Sequence, residues 1–316
     1  MSQTPPSKDA ISHAYGEIDP IFLNTPQFEL DALNAALGNR IVLKVETLNP
    51  IRSFKGRGAN YFVQQRAGEA PFVCASAGNF GQGMAYACRQ HQIPLTVFAA
   101  KTANPLKLDR MRQLGAEVRL YGKDFDVAKQ AAKTFASDNN QTFVEDGRDA
   151  EVTIGAGTIG LELSRYPALL DVLLVPIGNG ALINGVGTWF KAVHPTTRVI
   201  GIVAAGAPAM DRSWRQNRVI TTETVDTVAD GIGVRIPVPE ALETMTTTVD
   251  DILQVSDDTI LAAMQLAHEL LGIVLEPAGA VGLAAAMLHR ESFARQILGS
   301  VLCGSNLTAK QMKQWL

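Results

Sequence analysis

The chain has 316 residues, of which 47% are hydrophobic and 19% charged, a composition typical of packed globular proteins rather than of disordered or fibrous ones. Its 28 Lys and Arg against 31 Asp and Glu give a formal net charge of −3, which argues against nucleic acid as a partner. The two longest apolar stretches, residues 169–187 and 271–288, each contain an acidic residue and a proline, so neither predicts a membrane-spanning helix.

Residues 1–20 contain no apolar segment of the kind found in a secretory signal, and we therefore expect a cytoplasmic protein. The three cysteines, Cys74, Cys88 and Cys303, are widely spaced and form no CxxC pair, and the five histidines form no HExxH motif. The sequence thus predicts neither a disulfide framework nor a metal site.

Short apolar strands alternate with helical patterns from residue 41 onward, the order expected when each strand of a parallel sheet returns through a helix. Several strands are apolar throughout, as in sheets that helices cover on both faces. Because a domain usually has about 100 to 200 residues, we predict an α/β fold with two doubly wound domains and mostly parallel sheets. The predicted strands are IVLKVE from residue 41, FVCAS from 72, LTVFAA from 95, EVRLYG from 117, TFVE from 142, DVLLVPIG from 171, RVIGIVAA from 198, DILQV from 251 and ILGSVLCG from 297.

The clearest predicted helix follows Ser256, whose side chain can cap its first turn. Two aspartates after Ser256 favour the positive end of a helix, and Gly272 is expected to end it. Its apolar face at helical spacing consists of Ile260, Met264, Ala267 and Leu271.

A lysine in the segment NPIRSFKGRG is the first candidate for chemistry. Lys55 opens a predicted helix, follows Phe54 and has two glycines beside it, which leaves room for a cofactor. Desolvation by Phe54 and the like charges of Arg52 and Arg57 are expected to disfavour the ammonium form, as an imine-forming amine requires. The alternative is an ordinary solvated lysine at a helix start.

Two glycine-rich turns each join a predicted strand to a predicted helix, where free backbone N–H groups can bind a carboxylate or a phosphate. The first is SAGNFGQG, residues 76–83, and the second is GNGALINGVG, residues 178–187. The second fails as a dinucleotide fingerprint, because its spacing is not GxGxxG and the next strand ends without an acidic residue. Each turn alone could also be an ordinary tight turn.

Two later segments close apolar runs near strand ends, EPAGA at residues 276–280 and LCGSN at residues 302–306. Each alone is compatible with ordinary packing. Together with the lysine and the two turns, they indicate a phosphate-bearing cofactor with a reactive carbonyl and a carboxylate substrate.

These segments, in this order, resemble the pyridoxal-phosphate-dependent threonine and serine dehydratases of the fold type II group, which is tryptophan synthase β-like. The resemblance runs over nearly the whole chain, through TP at residues 25–26, LKVETLNPIRSFKGRG, SAGNFGQG, DGRD, GNGAL, VADGI, EPAGA and CGSN. It implies a small domain over roughly residues 51–150 and a large pyridoxal-phosphate-binding domain over residues 1–50 and 151–316. The implied activity is an ammonia-lyase that eliminates water from a small β-hydroxy amino acid, giving a 2-oxo acid and ammonia.

The same resemblance implies roles for individual residues. Lys55 would carry the cofactor as a Schiff base and later remove the Cα proton of the substrate, and Cys303 would face the pyridine nitrogen. The substrate carboxylate would be held by Ser76, Ala77, Gly78 and Asn79. The other residues expected to bind the cofactor are Phe54, Asn79, Glu276 and the phosphate loop Gly178, Asn179, Gly180, Ala181 and Leu182.

The sequence departs from the family pattern at a few positions. Ala77 replaces the serine expected in racemases, where it protonates the far face of the carbanion, so racemisation is disfavoured. Gly206 corresponds best to a metal-binding glutamate of related racemases, so no such metal site is predicted. GNGAL in place of a glycine run, and Phe80 in place of a common histidine, remove no backbone donor.

Other functions remain open at this level. A β-replacement synthase or a racemase of the same family, and a nucleotide-binding dehydrogenase or binding protein, are the alternatives, although a nucleotide site would leave Lys55 unexplained. The substrate could be threonine, serine, hydroxyaspartate or phenylserine. The oligomeric state is open as well, and a homodimer is one candidate.

Overall fold

The computed structural model describes residues 6–316, and these residues form ten strands. The strands are β1 (Gln27–Phe28), β2 (Arg40–Val45), β3 (Phe72–Ala75), β4 (Leu95–Ala99), β5 (Glu117–Leu120), β6 (Thr142–Val144), β7 (Val172–Pro176), β8 (Arg198–Ala204), β9 (Asp251–Val255) and β10 (Ile297–Leu302).

The described residues also form thirteen α-helices and three short 3-10 turns, at Pro20–Phe22, Ala67–Glu69 and Asp230–Ile232. Within this part of the chain, no helix is long and apolar enough to cross a membrane. The helices are α1 (Lys8–Glu17), α2 (Asp31–Leu37), α3 (Lys55–Arg66), α4 (Asn79–Gln90), α5 (Pro105–Gln113), α6 (Phe125–Asp138), α7 (Ala150–Leu163), α8 (Ala181–Val193), α9 (Ala209–Gln216), α10 (Pro239–Thr248), α11 (Asp257–Leu271), α12 (Pro277–Leu288) and α13 (Ala309–Trp315).

The strands form two sheets, as the predicted fold class requires. The larger sheet has the strand order β1-β2-β10-β7-β8-β9, and the smaller has the order β5-β4-β3-β6. Neighbouring strands run parallel except for β1 and β2, which are antiparallel. The strands of the smaller sheet all lie between residues 51 and 150, but the domain boundaries themselves stay a prediction.

The structure confirms all nine predicted strands, each to within two residues at either end. The two-residue strand β1 was missed, because so short a segment carries no periodicity. The predicted helix after Ser256 is α11, with the Ser256 hydroxyl accepting a hydrogen bond from the Thr259 N–H and Gly272 in the left-handed conformation after its last turn.

Both faces of the central strands are buried, as continuous apolar strands predict. In β7, Leu173 and Val175 pack into one core, which contains residues of α1, α7 and α8. Their neighbours Val172 and Leu174 pack into another core, which contains residues of α11 and α12. Successive residues of a strand point to opposite faces, so the apolar run serves two helical layers at once.

Four charged side chains form a buried cluster behind the start of α3, here called the Arg57 cluster: Lys44, Glu46, Arg57 and Glu162. The Arg57 guanidinium lies 2.7 Å from Glu46 Oε1 and 2.8 Å from Glu162 Oε1, and Lys44 Nζ lies 2.5 Å from Glu162 Oε2. Two cations therefore balance two carboxylates. Burial opposes ionisation of Glu162, but hydrogen bonds and charges from Arg57 and Lys44 outweigh it and lower the pKa of Glu162.

The Arg57 cluster joins β2, α3 and α7, and its stability contribution can be measured. We expect Glu162→Gln to lower the free energy of unfolding by about 3 to 5 kcal/mol, because it leaves one buried positive charge uncompensated. The measurement is urea unfolding at neutral pH, followed by circular dichroism. Glu117→Gln, at a side chain that is 58% exposed, is the matched control. A loss below about 1 kcal/mol for Glu162→Gln, as for a surface ion pair, would contradict this reading.

Candidate functional site

A cavity of about 250 Å³ lies where strands of both sheets end. Its walls include the residues that directly follow β3, β6 and β10, and Pro176 at the end of β7, in agreement with the rule that ligands bind at the carboxyl ends of parallel strands. All the residues that the sequence analysis assigned to cofactor or substrate line this one cavity: Phe54, Lys55, Ser76, Ala77, Gly78, Asn79, Gly178, Asn179, Gly180, Ala181, Leu182, Glu276 and Cys303. Their individual roles stay predictions.

Lys55 is the first residue of α3, and its amino group faces a carboxylate. Lys55 Nζ lies 2.5 Å from Asp146 Oδ2, 4.7 Å from the centre of the Phe54 ring and 5.9 Å from that of Phe80. The expectation that Arg57 presents a like charge to Lys55 is wrong. Residues two apart on a helix do not share a face, and the Arg57 guanidinium is bound inside the Arg57 cluster.

Asp146 was missed as a site residue. It belongs to the segment DGRD, directly follows Glu145 at the end of β6, and is only 8% exposed. Its place after a parallel strand is equivalent to that of Ser76 after β3, and this was the signal that could have identified it. Its Oδ1 atom is buried and has no hydrogen-bond partner among residues 6–316.

The loop Gly178–Leu182 offers a cradle of backbone donors. α8 begins at Ala181, and Gly180 before it has a φ of +99°. Within residues 6–316 the N–H groups of Gly178, Asn179 and Gly180 have no hydrogen-bond acceptor, and the first turn of any helix leaves its N–H groups free. These donors and the positive end of the helix suit a phosphate dianion.

Glycines also determine how closely other segments approach this loop. A Cβ at Gly178 would come within 3.2 Å of the Gly231 carbonyl oxygen, and one at Gly147 would overlap the Asn179 carbonyl oxygen. Gly147 in addition has a φ of +87°. The residues present thus fit the phosphate group of the expected cofactor.

The turn Ser76–Asn79 lines the cavity at the start of α4. Ser76 Oγ accepts hydrogen bonds from the N–H groups of Gly78, at 3.1 Å, and Gly81, at 2.9 Å, which fixes the turn. Ser76 Oγ thereby takes one N–H of the first turn of α4, whereas among residues 6–316 the N–H groups of Asn79 and Phe80 have no acceptor. The turn can therefore bind a substrate carboxylate through backbone donors.

Asn79 and Glu276 are joined in a hydrogen-bonded group beside this turn. Asn79 Nδ2 donates to Glu276 Oε1 at 2.5 Å, and Asn306 Nδ2 donates to Asn79 Oδ1 at 2.8 Å. Glu276 is 2% exposed, and burial raises its pKa, with the charge of Asp230 acting in the same direction and that of Lys107 against it. The side-chain amide of Asn79 is thereby held in one orientation.

Cys303 lies at the end of β10, where it is 4% exposed. Burial strongly raises the pKa of its thiol, and Sγ donates a hydrogen bond to the Ala278 carbonyl at 3.5 Å. The thiol is therefore neutral at physiological pH. The resemblance implies that Cys303 faces the pyridine nitrogen of the cofactor. A neutral thiol forms only a weak hydrogen bond there and does not hold that nitrogen in its protonated form.

Two side-chain pairs that the sequence did not predict connect α5 with the 3-10 turn Asp230–Ile232 and with the segment after β10. Lys107 Nζ lies 2.8 Å from Asp230 Oδ2, and Arg110 Nη1 donates to Asn306 Oδ1 at 2.5 Å. Lys107 is 5% exposed, and although burial lowers its pKa, the charges of Asp230 and Glu276 outweigh this and raise it. These pairs hold the two sides of the cavity together.

The two departures from the racemase pattern have visible structural counterparts. Ala77 lines the cavity with a methyl group, which cannot donate a proton. A Cβ at Gly206 would overlap the Asp226 carbonyl oxygen, so this backbone has no room for a side chain there. Among residues 6–316, no three His, Cys, Asp or Glu side chains come together as a metal site would need.

Comparisons with known proteins agree with this cavity. The family model described as "Pyridoxal-phosphate dependent enzyme" matches residues 18–304. An L-threonine dehydratase biosynthetic IlvA of Lactococcus lactis subsp. lactis is 33% identical over 319 residues, which cover 98% of this chain and 76% of that protein.

Solved structures share the fold over nearly the whole chain. A threonine deaminase from T.th. has a TM-score of 0.90 at 31% identity, with 96% of this chain and 99% of that chain covered. A maize serine racemase has a TM-score of 0.91 at 25% identity, with 98% and 97% covered. Since the family model spans most of the sequence, the chain belongs to the pyridoxal-phosphate-dependent enzymes of fold type II, and its cofactor is pyridoxal phosphate.

Proposed function

We propose that this enzyme is an ammonia-lyase that eliminates water from a small β-hydroxy amino acid, such as L-threonine or L-serine, and releases a 2-oxo acid and ammonia. The observation that carries the proposal is Lys55 at the wall of a cavity that also contains two anion-binding turns. One turn suits a cofactor phosphate and the other a substrate carboxylate. The similarity to the Lactococcus lactis dehydratase and to the T.th. deaminase supports the same reaction.

The residues that would hold the cofactor lie on several sides of the cavity. The N–H groups of Gly178–Leu182 would bind its phosphate, Lys55 Nζ would join its carbonyl carbon, and Cys303 would lie on the side of its ring nitrogen. Phe54, Asn79 and Glu276 complete the contacts. When bound, pyridoxal phosphate supplies an electron-withdrawing ring that accepts the electron pair of the broken Cα–H bond.

The substrate would be held by its carboxylate at Ser76–Asn79. Lys55 Nζ acts as the general base that takes the Cα proton, and this proton together with the departing β-hydroxyl makes up the water that is eliminated. The centres of the Phe54 and Phe80 rings lie 4.7 and 5.9 Å from Nζ, which places apolar surface beside this amine. Ala77 offers no second proton donor, so the proposal favours elimination over racemisation.

Two features of the proposal rest on the sequence alone. These are a cytoplasmic location and, as one candidate assembly, a homodimer. Both stay predictions.

Replacement of the lysine tests the catalytic assignment. Lys55→Ala is expected to lower release of 2-oxo acid by at least about 100-fold, because it removes both the covalent anchor and the general base. The assay uses a panel of L-threonine, L-serine, hydroxyaspartate and phenylserine. Lys123→Ala removes an exposed lysine and should match the wild type. Turnover close to that of the wild type in Lys55→Ala would refute the assignment, and an inactive wild type on the whole panel would refute the reaction.

A substitution behind the phosphate loop tests the cradle. In Gly147→Ala, a methyl group at positive φ overlaps the Asn179 carbonyl, so the loop must move. Backbone strain of this kind costs about 1 to 3 kcal/mol, and we expect the Kd for pyridoxal phosphate to rise about tenfold or more. Fluorescence titration of the cofactor-free protein measures it. The control Gly68→Ala adds a Cβ with nothing within 4 Å. Equal affinity in both variants would show that the loop does not bind the phosphate.

The stereochemistry of the products tests the role given to Ala77. The wild type should release 2-oxo acid from L-serine or L-threonine much faster than it forms the D-isomer, because the methyl group of Ala77 cannot protonate the far face. Chiral chromatography alongside a keto-acid assay measures both products. A D-amino acid as the main product would replace the lyase proposal with a racemase.

A further inference from the structure

Asp146 is a buried carboxylate of the cavity to which the proposed reaction gives no role. Its Oδ2 atom lies 2.5 Å from Lys55 Nζ, and its Oδ1 atom is buried without a hydrogen-bond partner in residues 6–316. An unsatisfied buried acceptor costs free energy, and such atoms at a cavity wall indicate a donor that the ligand supplies. The carboxylate thus has one oxygen on Lys55 and one left for a second donor.

The backbone on both sides of Asp146 is fixed. The N–H of Glu145 donates to Asp149 Oδ2 at 2.6 Å, and the N–H groups of Arg148 and Asp149 donate to the Glu145 carbonyl. On the other side, Gly147 packs against the carbonyl of Asn179 in the phosphate loop. The backbone at Asp146 therefore cannot move away from Lys55 without disturbing this loop.

The neighbouring charges of the cavity are engaged elsewhere. Glu145 binds Lys129 at 2.7 Å and Lys133 at 2.9 Å, and Lys107 binds Asp230 at 2.8 Å. Glu276 is bound by Asn79 and by the N–H of Asn306, and the Cys303 thiol is neutral. The titratable groups that line the cavity besides Lys55 and Asp146 are Lys107, Lys129, Glu145, Asp230, Glu276 and Cys303.

We propose that Asp146 is the counter-ion of the catalytic amine: its Oδ2 stabilises positive charge on Lys55 Nζ, while its Oδ1 accepts a hydrogen bond from the amino group of the entering substrate. The inference rests on the proposed function for the identity of that substrate. Through Oδ2 Asp146 positions Lys55, and through Oδ1 it contacts the substrate, so it brings the two amines that must exchange onto one carboxylate.

The charge on Nζ arises in the proton transfer itself. The Cα–H bond of the substrate breaks, its proton forms a new bond to the Nζ lone pair, and the electron pair of the C–H bond stays with the substrate. Nζ changes from a neutral amine to an ammonium ion in this step. A carboxylate in contact with Nζ stabilises that product, and opposite charges at such distances in a partly desolvated site have large effects.

The test is an absorbance titration of the holoenzyme without substrate. The imine that joins Lys55 to the cofactor absorbs at longer wavelength when its nitrogen carries a proton. In Asp146→Asn we expect the protonated form to be lost at a pH about one unit or more below that of the wild type, because the anion beside the nitrogen is gone. In Asp146→Glu, which keeps the negative charge, the protonated form should be lost at a pH closer to that of the wild type.

Asp109→Asn is the matched control, since it removes a carboxylate on α5 that is 58% exposed and pairs with Arg112. Its titration should coincide with that of the wild type. Coincident titration curves for Asp146→Asn and the wild type would overturn the proposal. The same holds if the imine of both proteins stays protonated over the whole pH range. If Asp146→Asn does not fold, Asp146→Glu provides the test instead. Loss of the protonated imine in Asp146→Glu at a pH one unit or more below that of the wild type would overturn the proposal.

Steady-state kinetics test the role proposed for Asp146 Oδ1, the oxygen that accepts from the substrate amino group. Asp146→Asn should raise KM for the active amino acid about tenfold or more, because a charge-assisted hydrogen bond to the substrate amine is lost. An unchanged KM would remove this part of the proposal. The substrate-free titration does not depend on the reaction catalysed, so an enzyme that titrates as expected but releases no 2-oxo acid would contradict the proposed function and leave the counter-ion in place.

Discussion

The pairing of one buried guanidinium with two buried carboxylates determines where the reactive lysine stands. Arg57 lies in the first turn of α3, two residues after Lys55, and binds Glu46 after β2 and Glu162 on α7. A buried charge must keep its partners, so α3 cannot rotate or slide without a large cost. The start of α3 therefore directs the Arg57 side chain into the interior and the Lys55 side chain into the cavity.

Around Lys55 the structure separates donors for anions from acceptors for amines. Two turns with free N–H groups, at Ser76–Asn79 and Gly178–Leu182, surround a cavity whose carboxylate next to Nζ is Asp146. The neutral thiol of Cys303 adds no charge on the side expected for the ring nitrogen. A phosphate, a carboxylate and two amines can thus be accommodated together, which is the set of groups that an amino acid and pyridoxal phosphate bring.

The sequence predicted the elements of this site better than its connections. Lys55 was found because it opens a predicted helix beside two glycines. Both glycine turns were found because each joins a predicted strand to a predicted helix. The contacts of Asp146 with Lys55, of Lys107 with Asp230 and of Arg110 with Asn306 join residues separated by 91 to 196 positions, and no local pattern encodes them. The wrong expectation for Arg57 has a different origin, since it overlooked the local rule that residues two apart on a helix do not share a face.

The central claim is that Lys55 carries the cofactor, and chemical trapping tests it most directly. Borohydride reduction of the purified holoenzyme converts the imine to a stable secondary amine, and peptide mapping by mass spectrometry then locates the pyridoxyl group. The account predicts that the modified peptide contains Lys55 and that Lys107 and Lys129, the other lysines of the cavity, are unmodified. A pyridoxyl group on either of these, or on a lysine outside the cavity, would contradict it.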